Sequence, residues 1–481
     1  MAIKDQKSGD PGTATRREFL EQATAAVATV SVLGGAAFTK PKDKPVKKVT
    51  TRVLGANDRI NLAFIGNGMQ FLGLLQRGFV ARKEKLGDFE YAAVCDVWEP
   101  RLKYAQEQTK AEKTYRDYRE VIARADIDGV VIAVPDHWHY AIAREACLSG
   151  KDVYLEKPMT YTIDEAARLS EIVGQTKRIL QVGGSGPSTR LYWKVNEYIS
   201  AGKMGKVVWG LISYNRNTNS GMWDYPIPGI GSQEWPNAEV SEKNLDWKAW
   251  LGPAPKRPFS PERYFRWRKY WDYSGGNATD LLYHRLGVMS TMLGFSFPTR
   301  VTGAGGIYVQ KDRDVPDTYM TMVEYPGDYS INMISCMANS DSAPLAIYGN
   351  WATLQIVMER PQAMDSMGDQ TRSRGQWTGP IERAVIKPQR DFLNEFKQAN
   401  DGKTEVAIDP EPSEDLIDNW LSCMRSREKP VYDVMKGYQV MVAIRLGVDS
   451  YREGKTFAFD PASRRVLNRP PRRRTYPPPG A

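Results

Sequence analysis

Asp280 and His284 stand four residues apart in the stretch "GGNATDLLYHRLG", Gly275 to Gly287. On a helix that spacing puts both side chains on one face. A carboxylate beside an imidazole can fix its tautomer and raise the basicity of the far nitrogen. The pair is then a base suited to taking a proton from an alcohol. Lys157, in "EKP", offers an ammonium that can hydrogen-bond the same oxygen and stabilise alkoxide-like charge. The chain has 481 residues but only three histidines, the others being His137 and His139 of "PDHWH". Each of these groups also has a plainer role. Asp280 could cap a helix over a packed His284, His139 could cap and pack, and Lys157 could be a surface residue. Pro158, directly after Lys157, points instead to a fixed loop.

Chemistry of this kind needs elements that bring distant residues together. "INLAFIGNGM" is a short apolar run ending in Gly66-Asn67-Gly68, after which Met69 and Gln70 open a helix. The first glycine permits a tight turn. The second lets backbone approach a pyrophosphate resting on the helix N-terminus. Phe71 stands where the third glycine of such a turn belongs. "YAAVCD" is a second run, ending in Asp96. An acid there can accept from ribose hydroxyls and repels a 2′-phosphate, so NAD is expected before NADP. A helix (Arg101 to Lys110), the strand "DGVVIAVP", the helix "HYAIAREACLSG" and the strand "KDVYLEKP" follow. This alternation predicts a doubly wound parallel sheet. Its strand ends place Pro135, His137, His139, Glu156 and Lys157 at the ligand crevice.

Taken in this order, the Gly66/Gly68 turn, Asp96, "PDHWH", "EKP" and "GGNATDLLYH" resemble the family of glucose–fructose oxidoreductase and inositol dehydrogenase, Gfo/Idh/MocA. The resemblance covers about Arg59 to Lys455. It implies an α/β chain: an N-terminal Rossmann domain, then an α/β domain with an open, mostly antiparallel sheet that is often used for oligomerisation. A homo-oligomer, dimer or tetramer, is therefore expected. By the same resemblance, Lys157, Asp280 and His284 map onto the catalytic set. The cofactor residues would be Gly66, Asn67, Gly68, Met69, Gln70, Asp96, Pro135, His139, Glu156 and Lys157. Phe71 departs from the family turn and puts the helix–strand packing there in question.

Between the blocks, "MWDYP" and "RYFRWRKYWDYSGG" alternate rings with cations. Sugar faces stack on Trp and Tyr, and hydroxyls meet Arg and Asp; Arg268, Tyr270, Trp271 and Tyr283 are the candidate substrate contacts. Most such rings serve as core. The substrate expected is a sugar, cyclitol or glycoside oxidised at a CH–OH carbon, with His284 as base, Asp280 orienting it and Lys157 polarising the oxygen. Two other readings stay open. One is a redox-neutral NAD-dependent glycosidase, since the family includes secreted α-N-acetylgalactosaminidases. Those tend to carry Tyr three residues before the histidine, where Leu281 stands here. The other is a non-catalytic carbohydrate-binding protein on the same fold.

Composition narrows the field. The net charge is +9, but the basic residues are scattered, and the densest group (Arg469 to Arg474) lies in a proline-rich end. Nucleic acid is not the expected partner. Four cysteines without a C-x-x-C, and few histidines, argue against a metal centre. "TRREFL" followed by "ATAAVATVSVLGGAAF" reads as a twin-arginine export signal, its apolar stretch too short for a good membrane span. An uncleaved anchor stays open. The expected organisation is a signal at 1–40, a linker at 41–58, the dinucleotide domain at 59–182, the substrate domain at 183–460 and a Pro/Arg-rich tail at 461–481.

Overall fold

The computed structural model describes Gly55 and residues 58–184, 186–228, 238–359 and 381–467. The expected export signal, most of the linker and residues 468–481 of the tail lie outside them.

The first sheet comprises β1 (Ile60–Ile65), β2 (Phe89–Cys95), β3 (Lys113–Tyr115), β4 (Gly129–Ile132), β5 (Asp152–Leu155) and β6 (Leu180–Val182). Its order is β3-β2-β1-β4-β5-β6, and every pairing is parallel. β4 and β5 are buried at every position, as strands covered on both faces must be, which is why they read as unbroken apolar runs. After β1 comes helix α1, built from Met69–Leu74, a π turn Leu75–Phe79 and Val80–Leu86. That length accounts for the wide spacing between Gly66 and Asp96. Phe71 is buried and meets Phe64 edge-on at 5.6 Å. Helix and strand are thus spaced by aromatic packing where a third glycine would bring them closer. Helices α2 (Glu99–Thr109), α3 (Asp136–Leu148) and α4 (Ile163–Thr176) complete the crossovers, and α5 (Arg190–Ser200) leads into the second half.

The second sheet takes β7 (Val207–Ser213), β8 (Arg300–Gly306), β9 (Thr318–Tyr325), β10 (Tyr329–Cys336), β11 (Leu345–Gly349), β12 (Ala352–Glu359), β13 (Ile381–Pro388), β14 (Val406–Ile408), β15 (Phe457–Asp460) and β16 (Arg465–Leu467). Only β7 and β10 run parallel; the other pairings are antiparallel. β16 lies within the region expected as tail, so the sheet extends to Leu467. Short helices α6 (Trp247–Leu251) and α7 (Pro261–Phe265) sit in the long connection after β7. Helix α8 (Tyr283–Leu293) follows a π turn at Ala278–Leu282.

The chain then returns to the first half. Helix α9 (Leu416–Ser426) puts Trp420 and Met424 against Gly129 of β4, and beyond it the Tyr432 carbonyl accepts from the Val182 N–H of β6. Helix α10 (Val434–Glu453) lies so near β8 that a Cβ on Gly303 would come within 2.4 Å of the Gly447 carbonyl. At the start of α10 a Cβ on Gly437 would come 2.8 Å from the Val182 side chain, so α9 and α10 both pack against the first sheet.

Candidate active site

The Gly66 turn is forced by sterics. Gly66 has φ +87, and a Cβ there would lie 2.7 Å from the Ala133 carbonyl oxygen at the end of β4. Asn67 N–H donates to Asp96 at 2.7 Å, and Trp98 N–H donates to its other oxygen at 2.9 Å. These bonds tie the turn to the tip of β2. Burial raises the Asp96 carboxyl, opposed by Arg101 and the two backbone donors. Gln70 donates to Glu156 at 2.7 Å, joining the start of α1 to the end of β5.

A cavity of about 290 Å³ runs from this turn to Lys157. It is lined by Gly66, Gly68, Met69, Gln70, Asp96, Pro135, Glu156, Lys157, Arg268 and Asp280, all expected at the site. The residues fit a dinucleotide. Both polar side-chain atoms of Asn67 are buried with no hydrogen-bond partner in the protein, inside a glycine cradle at a helix start.

The second half supplies a roof. Asp246, Ala249, Trp250, Tyr264 and Trp267 line the same cavity. Leu245 bridges to Trp98, and Asp246 N–H donates to the Val97 carbonyl. The Trp250 carbonyl accepts from the Trp138 indole at 2.7 Å and meets His137 Nε2 at 3.1 Å. Arg101 donates to the Tyr264 hydroxyl at 3.1 Å. The histidine-bearing motif thus fastens the roof.

At the far end Lys157 Nζ donates to the Asp280 carboxylate and to its carbonyl, both at 2.8 Å. Arg268 Nε donates to the same carboxylate at 2.9 Å, and the Trp223 indole donates to its other oxygen at 3.0 Å. Burial works to raise the Asp280 carboxyl, but Arg268 and Lys157 outweigh it and hold it well below the usual range. A Cβ on Gly184 would lie 3.9 Å from both His284 Nδ1 and Lys157 Cβ, so ring and lysine are neighbours.

Four expectations need correction. The Asp280 carboxylate accepts from Lys157, Arg268 and Trp223 and is not reserved for His284. The π turn is the reason: it holds one more residue per turn than an α-helix and swings Asp280 toward Lys157. Accordingly His284 is not made more basic. Burial, then Lys157, lower it to about 3, with Arg216 and Arg285 adding to the effect and Asp280 opposing it. His139 is buried off the cavity, its ring nitrogens facing the carbonyls of Val134 (2.8 Å) and Pro158 (2.5 Å), to one of which the neutral ring donates. Among the substrate candidates, Tyr283 is fully buried and donates to the Gly437 carbonyl. Tyr270 packs on Arg263 and Tyr273 in the roof, and Trp271 packs on Tyr451 and Arg452. None of those three rings lines the cavity. Arg268 does, but paired with Asp280.

Two residues escaped the sequence reading. Asp136 lines the cavity, is 3% exposed, and accepts from the Thr279 hydroxyl at 3.0 Å. Burial pushes its carboxyl up to about 7 against the pull of Lys157 and Arg268. Its place in "PDHWH" was visible, its burial was not. Trp223 sits at φ +66, a left-handed backbone that favours glycine, with its buried ring under the Arg313 guanidinium. Nothing in the sequence signals that backbone.

With this geometry in place, comparisons with known proteins give the chain its setting. Residues 60–184 match a model described as an oxidoreductase family with an NAD-binding Rossmann fold. Residues 194–328 match the C-terminal alpha/beta domain of the same oxidoreductase family. A glycosyl hydrolase family 109 protein of Shewanella baltica is 27% identical over 251 residues, covering 49% of this chain and 50% of its own. An alpha-N-acetylgalactosaminidase of Shewanella oneidensis is 24% identical over the same length and the same shares. The chain thus spans about half the length of the curated relatives it matches. Among solved structures, the WlbA dehydrogenase from Bordetella pertussis, in complex with NADH and UDP-GlcNAcA, aligns with TM-score 0.56 and 16% identity. That alignment covers 84% of this chain and 99% of that one.

Proposed function

We propose, from the premise that this chain belongs to the Gfo/Idh/MocA oxidoreductase family, that it oxidises a CH–OH carbon of a sugar, cyclitol or glycoside with a retained nicotinamide dinucleotide. The observation that carries the reading is that Lys157 and Asp280 are paired at the end of the cavity that begins at Gly66, with His284 beside Lys157. A bound nicotinamide dinucleotide would supply the acceptor for the hydride. Every other part falls to the protein. Neutral His284 accepts the hydroxyl proton. Lys157, with two N–H groups on Asp280, keeps a third for the substrate oxygen. Asp280 fixes Lys157 and Arg268 in place. The roof from Leu245 to Arg268 excludes water and slows exchange of the dinucleotide.

Asp96 at the tip of β2 supports NAD over NADP, and Kd values for the two nucleotides on stripped protein test that choice. Export in the folded state fits a cofactor that stays bound. The relatives named as glycosidases favour a second reading, in which the same set drives a redox-neutral bond cleavage. One experiment separates them. The protein with its bound nucleotide is given free sugars and aryl glycosides. Reduction of the nicotinamide without bond cleavage supports the dehydrogenase, and aglycone release without added nucleotide supports the glycosidase. Neither outcome, with no nucleotide retained, sinks both in favour of a binding protein.

A further inference from the structure

We propose that the site around His284 receives a sugar bearing a negative charge, its carboxylate or sulfate held by Arg216 and Arg285. The inference rests on the carbohydrate reading above and adds the class of substrate.

Both arginines crowd one ring. The guanidinium carbons of Arg216 and Arg285 lie 4.7 Å and 5.0 Å from the centre of Tyr214, which itself lies 6.5 Å from the His284 ring. Arg216 also donates to the Tyr214 hydroxyl. Tyr214 follows β7, and Arg285 follows His284 directly in the first turn of α8, so two elements converge to set this arrangement. Like charges on one ring repel, and an anion held by both would offset that repulsion.

The neighbouring cations already have their anions. Lys157 and Arg268 share Asp280, while Lys269, Arg266 and Arg313 share Asp224 and Asp312. Among the described residues, neither Arg216 nor Arg285 forms an ion pair, and Arg285 Nε is buried without a hydrogen-bond partner. The acid on that side, Glu382, accepts instead from the Tyr192 hydroxyl. A guanidinium fork is shaped for a planar or tetrahedral oxyanion. Neither arginine lines the dinucleotide cavity, so the cofactor's phosphates are not the anion in question.

The same charges bear on the base. Lys157, Arg216 and Arg285 all disfavour a proton on His284. An anion held by the two arginines cancels part of that field and restores proton affinity once substrate is bound. An acidic substrate therefore prepares the base that acts on it.

The test uses the full protein with its bound nucleotide. The probes are glucuronate and galacturonate, their parents glucose and galactose, and the 6-sulfates of those parents. We expect kcat/KM for nicotinamide reduction to be roughly tenfold or more higher for an acidic sugar than for its neutral parent. That ratio should fall by a similar factor in Arg216→Gln and Arg285→Gln, the exposed Arg216 guarding against a folding defect at Arg285. The uronate and sulfate arms tell which acid is read. NMR of the three histidines should show the His284 pKa rising with the acid and not with the parent. Equal or better turnover of the neutral sugars, or a ratio unchanged in both variants, overturns the inference while the oxidoreductase reading stands. If no sugar is turned over, the titration decides. A His284 shift specific to acidic sugars keeps the anion site and removes the dehydrogenase, and no shift removes both.

Discussion

The Lys157 ammonium gives two of its N–H groups to Asp280, so these residues act as one unit. Asp280→Asn removes the anion that Lys157 and Arg268 share and leaves two cations facing each other in a buried site. Breaking such a pair costs about 3–5 kcal/mol. Asp280→Asn should therefore lower thermal stability as well as kcat, whereas a residue that only oriented His284 would lower kcat alone. Melting and turnover measured on one preparation separate these outcomes. His284→Asn should lower kcat about 100- to 10,000-fold with nucleotide affinity unchanged, as for any lost general base. With the imidazole neutral down to about pH 3 in the unliganded protein, kcat/KM should show no His284 limb near pH 6.5. An inflection there, abolished in His284→Asn, would refute the field of burial and cations around the ring. Gly66→Ala places a Cβ against the Ala133 carbonyl at a left-handed φ, and nucleotide binding measured by calorimetry should be lost.

At the scale of elements, the proposed function makes the roof the part that sets how long a dinucleotide stays. It is fastened to the first half by the Trp98–Leu245 bridge and by the donors on the Trp250 carbonyl. Trp138→Phe keeps the ring and removes its N–H, worth about 1 kcal/mol. Bound NADH should then leave roughly five- to tenfold faster in stopped-flow displacement, and an unchanged rate would show that the roof does not limit release. The roof was hard to read in the sequence for a physical reason. A parallel strand buried on both faces announces itself as an apolar run, so β1, β2, β4 and β5 were legible and so was their alternation with helices. "LDWKAWLGPAP" could be read as a helix and turn, but the surface it lands on is set by contacts some 110 residues away. The π turn at Ala278–Leu282 was equally hidden, because its composition is that of an α-helix. One extra residue per turn sent Asp280 to Lys157. So motifs could name residues that the fold brings near one another, while their pairing could not be read. The aromatic candidates Tyr270, Trp271 and Tyr283 went astray because rings near a site in sequence are more often its walls than its floor.

For the whole molecule, the return of α9 and α10 to the first half binds both sheets into one body, and its histidines report on that body's cohesion. All three are buried enough to be held neutral, His137 and His139 near pKa 4 and His284 near 3. In the unfolded chain each titrates near 6.5. Around pH 5 the unfolded chain therefore holds three more protons on histidine than the folded one does. Asp136 acts the other way. Its folded pKa is about 7, so at pH 5 the folded state holds one proton that the unfolded state lacks. Three against one leaves a net uptake of two protons on unfolding. Stability contributed by the neutral rings is full above pH 6.5 and is lost as pH falls toward 4, with a slope near pH 5 of about 2.7 kcal/mol per pH unit. Urea midpoints measured from pH 7.5 down to 4.5 should fall accordingly. His137→Asn, which removes one ring, should make that slope shallower by about half. Midpoints that stay level across this range, or rise toward acid, would mean that the rings are solvated and the roof is not seated on "PDHWH".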